Sequence, residues 1–164
     1  MAAREAPKLK APPNPLVEVI DRAWPLLILR MPAALDEAAV ESMFKGMDRV
    51  LEREARFTMV VDTRALKSFP TPVERKTIAK WMTERTLAEA RYNLGNAVVM
   101  TSPFARAAFA AIQWIRRPVT AHFMTANTVA GIDWCAERLK AASIPVPVTV
   151  AALRLSEEVR DQNG

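Results

Sequence analysis

The alternation of apolar and polar positions divides the chain into short strands and amphipathic helices. Phe57-Thr58-Met59-Val60-Val61-Asp62 has no polar face until its last residue, the pattern of a strand buried on both sides of a sheet. Ahead of it, Leu16 to Ile20 and Leu26 to Met31 flank the turn sequence Asp21-Arg22-Ala23-Trp24-Pro25, which predicts an antiparallel hairpin at one sheet edge. A helix opens at Leu35-Asp36-Glu37 with acids where the dipole favours them. Val40, Met43, Phe44, Met47, Val50 and Leu51 then recur at three- and four-residue spacing, the clearest apolar stripe in the chain.

After the central strand, Thr71, Pro72 and Glu74 form an N-cap, a first-turn proline and a capping-box acid. They predict a helix from Pro72 to about Arg91 that turns Val73, Ile78, Trp81 and Met82 inward, on a less regular stripe. Asn93-Leu94-Gly95-Asn96 reads as a break, and Ala97 to Thr101 as another buried strand. Ser102-Pro103 repeats the cap device before a helix whose expected inward stripe is Phe104, Ala107, Ala108, Ala111, Ile112 and Ile115. Arg106, Phe109, Gln113 and Arg116 fall on its opposite side. The alanine-rich stripe predicts close contact of this helix with the sheet rather than a cavity. Val119 to Met124 returns as a strand, and a helix follows Thr125-Ala126-Asn127-Thr128 with Val129, Ile132, Ala136 and Leu139 inward.

The order is β-β-α-β-α-β-α-β-α, which predicts an α/β fold with a mixed, mostly parallel sheet and covering helices. Residues 1–15 hold four prolines with Lys8 and Lys10 and are expected to form an extended, mobile arm before a single domain over residues 16–143. Residues 144–164 read as a C-terminal extension. There Ile144 to Val150 alternates prolines with valines, as in an edge or polyproline segment, and Ser156 to Gln162 has room for one or two helical turns.

Composition narrows the function classes. Apolar residues make up 51% and charged residues 25%, ordinary for a globular domain. No apolar run approaches the roughly 20 residues of a membrane span, and the first residues lack the apolar core of a secretory signal, so a cytoplasmic protein without a transmembrane segment is expected. One cysteine and one histidine leave no disulfide and no metal cluster to assemble, and four glycines write neither a P-loop nor a dinucleotide fingerprint. No metal and no cofactor is expected. The net charge of +5 is concentrated where Arg91, Arg106, Arg116 and Arg117 occur without an acid between Glu89 and Asp133. That basic stretch favours an acidic protein partner over specific nucleic-acid recognition.

The candidate site is the rim at which strands end and helices begin, where open α/β sheets collect their function. It brings Asp62, Arg64, Lys67, Ser68, Thr71 and Arg75 to one edge. Asp62 has no second carboxylate at matching spacing for acid–base chemistry, and Ser102 with His122 lacks a third member, so no catalytic residues are assigned and the chain is not expected to be an enzyme. Phe109 with Arg106, Gln113 and Arg116 offers an aromatic and arginine face of the kind that anchors interfaces.

The strand ending in Asp62, its loop, the capped helix at Thr71, the strand Ala97 to Thr101 with Ser102-Pro103-Phe104, and the closing strand–helix pair resemble the STAS domain of SpoIIAA-like anti-sigma-factor antagonists in bacteria. The resemblance covers about Leu16 to Ser143. It implies a protein-interaction and regulatory module of signalling, with self-association as one form of partnership. It also implies a phosphoacceptor in the loop after the strand, for which Thr71 is the nearest counterpart and Ser68 a second candidate. The family's Asp-Ser-Ser-Gly is replaced here by Phe69-Pro70-Thr71-Pro72, which places the chain as a divergent member. Divergent branches are grouped with SEC14-type lipid-binding proteins, so the alternative is a small-molecule or lipid-binding domain.

Overall fold

The computed structural model describes residues 15–68, 70–115 and 118–164, without the side chains of residues 108 and 111–115. Residues 1–14 of the expected arm, Phe69, Arg116 and the Gln113 side chain lie outside the described residues.

Five strands, β1 (Glu18–Ala23), β2 (Leu26–Arg30), β3 (Phe57–Asp62), β4 (Asn93–Val99) and β5 (His122–Thr125), form one sheet in the order 1-2-3-4-5. β1 runs antiparallel to β2, and every other pairing is parallel. The α/β class, the edge hairpin and the mixed sheet agree with the sequence reading. Parallel neighbours need crossovers, supplied by α1 (Glu37–Leu51), then α2 (Pro72–Glu84) with α3 (Thr86–Tyr92), then α4 (Pro103–Ile115). Because every step goes to the adjacent strand in the same direction, right-handed crossovers put these helices on one face. The packing agrees: Leu27, Leu29, Phe57 and Met59 meet the α1 stripe and Trp81 of α2. The alternate residues Leu26, Ile28, Val60, Ala97 and Val99 point to the other face, against α5 (Thr128–Ala141) and α6 (Thr149–Asn163).

α5 lies close on its face because Gly131 has no side chain. A Cβ there would stand 3.3 Å from Ala97 Cβ and from Val60 Cγ1. The Thr71 capping box forms as the sequence predicts, with Glu74 N–H donating to Thr71 Oγ1 at 3.3 Å and Thr71 N–H to Glu74 Oε2 at 2.6 Å.

Several expectations are corrected. The long helix after Thr71 breaks at Arg85, which leaves the helical region at φ −106°, ψ 7°, and Val73 is 75% exposed rather than inward. Trp81 is the one buried residue of α2, and half-buried Ile78 and Met82 pack against the same core beside it. Asn93 to Asn96 belongs to β4 instead of interrupting it. The Asn93 amide donates to Asn96 Oδ1 at 2.9 Å and its oxygen accepts from Gly95 N–H at 3.0 Å, across a register shift against β3. Gly95 sits at φ 155° with the Trp134 ring where a Cβ would stand, so glycine here serves the strand rather than breaking it.

On α4 the inward residues are Ala105, which is buried, and Phe109, which packs with Val98 and Met100. Phe104 and Ala107 face out. The C-terminal segment is no short frayed turn: α6 is a full helix whose Val150 and Leu153 enter the core beside Ile132 and Leu139.

Candidate functional site

Two features lie on the α1–α4 side and at the strand ends. The first is the expected rim. Asp62 closes β3 and is 4% exposed. The Arg64 guanidinium chelates it, Nε to Oδ1 and Nη2 to Oδ2 each at 2.9 Å, while Arg64 N–H also donates to Oδ1 at 3.1 Å. Burial alone would raise the Asp62 carboxyl, but the hydrogen bonds and charge of Arg64, with Arg30 behind it, hold it below the usual carboxylate range. Arg64 reaches on to Asp161 of α6 at 2.6 Å and to the Thr128 hydroxyl at 2.7 Å. Asp161 in turn accepts the first amides of α5, from Thr128 at 2.9 Å and Val129 at 3.2 Å. Arg30 pairs with Glu157, and its Nε lies 4.0 Å from Asp62. The sequence named Asp62 and Arg64 but missed Arg30, Thr128, Glu157 and Asp161, which distant elements bring to them. All of these charges are spent within the fold, fastening α6 to the strand ends.

The remaining rim candidates lie apart from this network. Lys67, Ser68, Thr71, Arg75 and Arg106 are exposed, and Lys67 N–H ties the loop to Ala33 O at 2.8 Å. Ser102 Oγ accepts from Phe104 N–H at 3.2 Å, and His122 Nδ1 lies 3.0 Å from Thr120 O, so both are engaged by backbone. Phe109 meets His122 with ring centroids 5.8 Å apart and is turned toward the sheet. Cys135 of α5 is buried against the sheet, where burial pushes its thiol up to about 12 and leaves it unreactive at neutral pH. Among the described residues, no group of three or more metal-ligating side chains occurs, and no helix is long and apolar enough to cross a membrane.

The second feature is a cavity of about 240 Å³ between the sheet and helices α1, α2 and α4. This corrects the expected close contact of α4. Small Ala105 covers Val98 and Met100 from above, and the space left beside it extends to Trp81 and Met82 of α2. Six of the eight methionines line it: Met31, Met43, Met47, Met59, Met82 and Met100. Their unbranched thioethers re-pack at little cost, as in adaptable binding surfaces.

The lining carries few polar groups. Thr63 Oγ1 donates to Val99 O at 2.7 Å, and the Asn96 amide is engaged with Asn93 and Thr120. Trp81 differs. Its ring stacks on Phe44 at 4.9 Å and lies 4.7 Å from the Arg85 guanidinium, itself tied to Asp48 at 2.9 Å. The ring is therefore held, and its Nε1–H is buried with no partner among the described residues. An orphan donor of this kind costs about 1–3 kcal/mol. The Met spacing of α1 and the irregular stripe of α2 were the sequence signals for this region, but they read equally as core.

No family model, curated protein or solved structure matches the chain.

Proposed function

We propose that this chain is a non-enzymatic binding domain for a small apolar molecule, working in the cytoplasm. The methionine-lined cavity carries this reading. It is concave and almost wholly apolar, and half-buried Leu35, Leu66 and Ile78 in its wall give it a way to solvent. Of the two functions implied by the STAS-like element order, it favours the ligand-binding branch.

n-Butylbenzene is expected to raise the melting temperature of the protein in a dose-dependent way, since a ligand that binds only the folded state stabilises it by mass action. Ala105→Leu, which grows a buried side chain into the cavity, should weaken that binding at least about tenfold, as each 1.4 kcal/mol is a factor of ten. Equal thermal shifts in wild type and Ala105→Leu would sink the reading.

A second reading, the STAS-like protein-interaction module, has its own support. Lys67 follows β3, while Arg75 and Arg106 stand in the first turns of α2 and α4, so the topology gathers three exposed cations at the carboxyl end of the sheet. An acidic partner suits them. Retention on a polyglutamate column at low salt should disappear when all three are changed to glutamate, and retention unchanged by that substitution would count against this rim.

A further inference from the structure

A groove of about 400 Å³ lies between the N-terminal halves of α1 and α2 and shares no lining residue with the methionine-lined cavity. Val40 and Phe44 of α1 and Val73 of α2 make its apolar part, and Val73 stays largely exposed there. Its ionisable lining is Glu37, Glu41 and Glu74. Lys45, outside the lining, offsets Glu41 at 2.8 Å, while Glu37 is in no ion pair among the described residues. We propose that the occupant of this groove is the chain's own segment 1–14, with Leu9 against the apolar part and Lys8 and Lys10 against the glutamates.

The path of the chain carries the proposal. Val19 Cγ2 stands 2.6 Å from where a Gly46 Cβ would be, and Val17 N–H donates to Ser42 Oγ at 3.0 Å. Followed toward residue 15, the chain therefore runs along α1 toward that helix's N-terminal end, where the groove lies. By helical spacing Ser42 and Gly46 are on one side of α1, and Glu37, Val40, Glu41 and Phe44 are on the other. Crossing the width of a helix, about 10–12 Å, takes about four residues at roughly 3.1 Å each. Counted back from Pro15, that brings Lys10, Leu9 and Lys8 over the groove.

Charge and composition agree with the path. Segment 1–14 holds Arg4, Lys8 and Lys10 against Glu5 alone, facing a lining without a cation. Pro7, Pro12 and Pro13 favour a polyproline conformation, in which successive side chains splay about 120° apart. With Leu9 turned down, Lys8 and Lys10 then point to opposite walls, toward α1 and α2. Pro-rich segments dock on aromatic-lined grooves in this way at low entropic cost, and Phe44 supplies the aromatic ring. A short tether gives an effective concentration of about a millimolar, so a contact of only millimolar affinity is half occupied.

The test places a nitroxide on Ala6→Cys in the full chain, with the buried Cys135 left unlabelled, and follows valine and leucine methyl signals in dilute protein. Docking predicts stronger broadening at Val73 than at Leu16, although Leu16 is far nearer in sequence. Changing Lys8→Glu and Lys10→Glu together should lower the docked-to-undocked ratio about tenfold, the effect of two exposed ion pairs turned to repulsion. Adding Glu37→Lys to that pair should restore part of the broadening. Broadening that is greatest at Leu16 and fades with distance from it overturns the docking. Broadening at Val73 that charge reversal leaves unchanged overturns the pairing that selects this segment. A mixture of nitroxide-bearing protein without ¹³C and ¹³C-labelled protein without nitroxide tests the remaining occupant: Val73 broadened there as strongly as within one chain means that a second copy fills the groove, which overturns the intramolecular assignment.

Discussion

A chain ending at Pro147 is expected to lose cooperative folding altogether. The deletion removes Val150 and Leu153 from the core under β1, β2 and α5, and fully burying such side chains contributes about 1.5–3 kcal/mol each. It also removes both acids that α6 delivers to the strand ends. Without Glu157, Arg30 loses its closest carboxylate, and without Asp161 the first amides of α5 lose an acceptor. Stranding a buried charge typically costs about 3–5 kcal/mol. These losses together are comparable to the whole net stability of a domain, about 5–15 kcal/mol. Circular dichroism on heating should show no sigmoidal transition in the truncated chain. A cooperative melt within a few degrees of the full-length protein would mean that α6 is an appendage.

Arg64→Met should be the most damaging point substitution at the rim, at about 3 kcal/mol, the lower end of the range for breaking a buried pair because Arg64 keeps some solvent contact. Methionine preserves the stem but leaves Asp62 buried, Asp161 without its nearest cation and the Thr128 hydroxyl unpaired. Arg64→Lys should recover only part of the loss, since an ammonium cannot chelate Asp62 and reach Asp161 together.

The pH dependence separates this from a general packing loss. In wild type the Asp62 carboxyl is lower in the folded state than its unfolded value near 3.8. Its contribution to stability is therefore complete above that value and is lost as pH falls through the lower, folded one. In Arg64→Met the burial cause prevails and the carboxyl rises above its unfolded value. That penalty is full at neutral pH and is relieved as the group protonates. The stability gap between variant and wild type should consequently narrow from pH 7 toward pH 4 in urea titrations. A gap independent of pH would show that Asp62 is not what Arg64 compensates.

Most of the sheet was legible because its signals are local. Phe57 to Asp62 is apolar without interruption, the α1 stripe keeps its period for four turns, and the box at Thr71 is written in three nearby residues. α6 escaped because its apolar residues lie on two sides. Val150 and Leu153 go inward while Leu155 and Val159 are exposed, which blurs the stripe, and Pro145 and Pro147 ahead of it signal irregular chain. The spacing of Val150, Leu153 and Glu157 was the readable trace. α4 misled for a related reason: with apolar residues at 104, 105, 107 and 109, sequence cannot decide which side meets the sheet.

At the rim, Asp62 and Arg64 were visible as neighbours in sequence, whereas their partners Thr128 and Asp161 stand 64 and 97 residues from Arg64. The cavity was illegible in principle. A methionine that fills a core and one that lines a gap have the same spacing, and only the separation of packed elements distinguishes them.

That distinction yields the most direct measurement of the central claim. With ¹³C-labelled methionine ε-methyl groups, titration with α-methylstyrene should move the signals of Met31, Met43, Met47, Met59, Met82 and Met100, which line the cavity, and leave that of Met124 on edge strand β5 in place. Lining signals that stay fixed at saturating ligand, or a Met124 signal that moves as far as theirs, would contradict a binding site between the sheet and α1, α2 and α4.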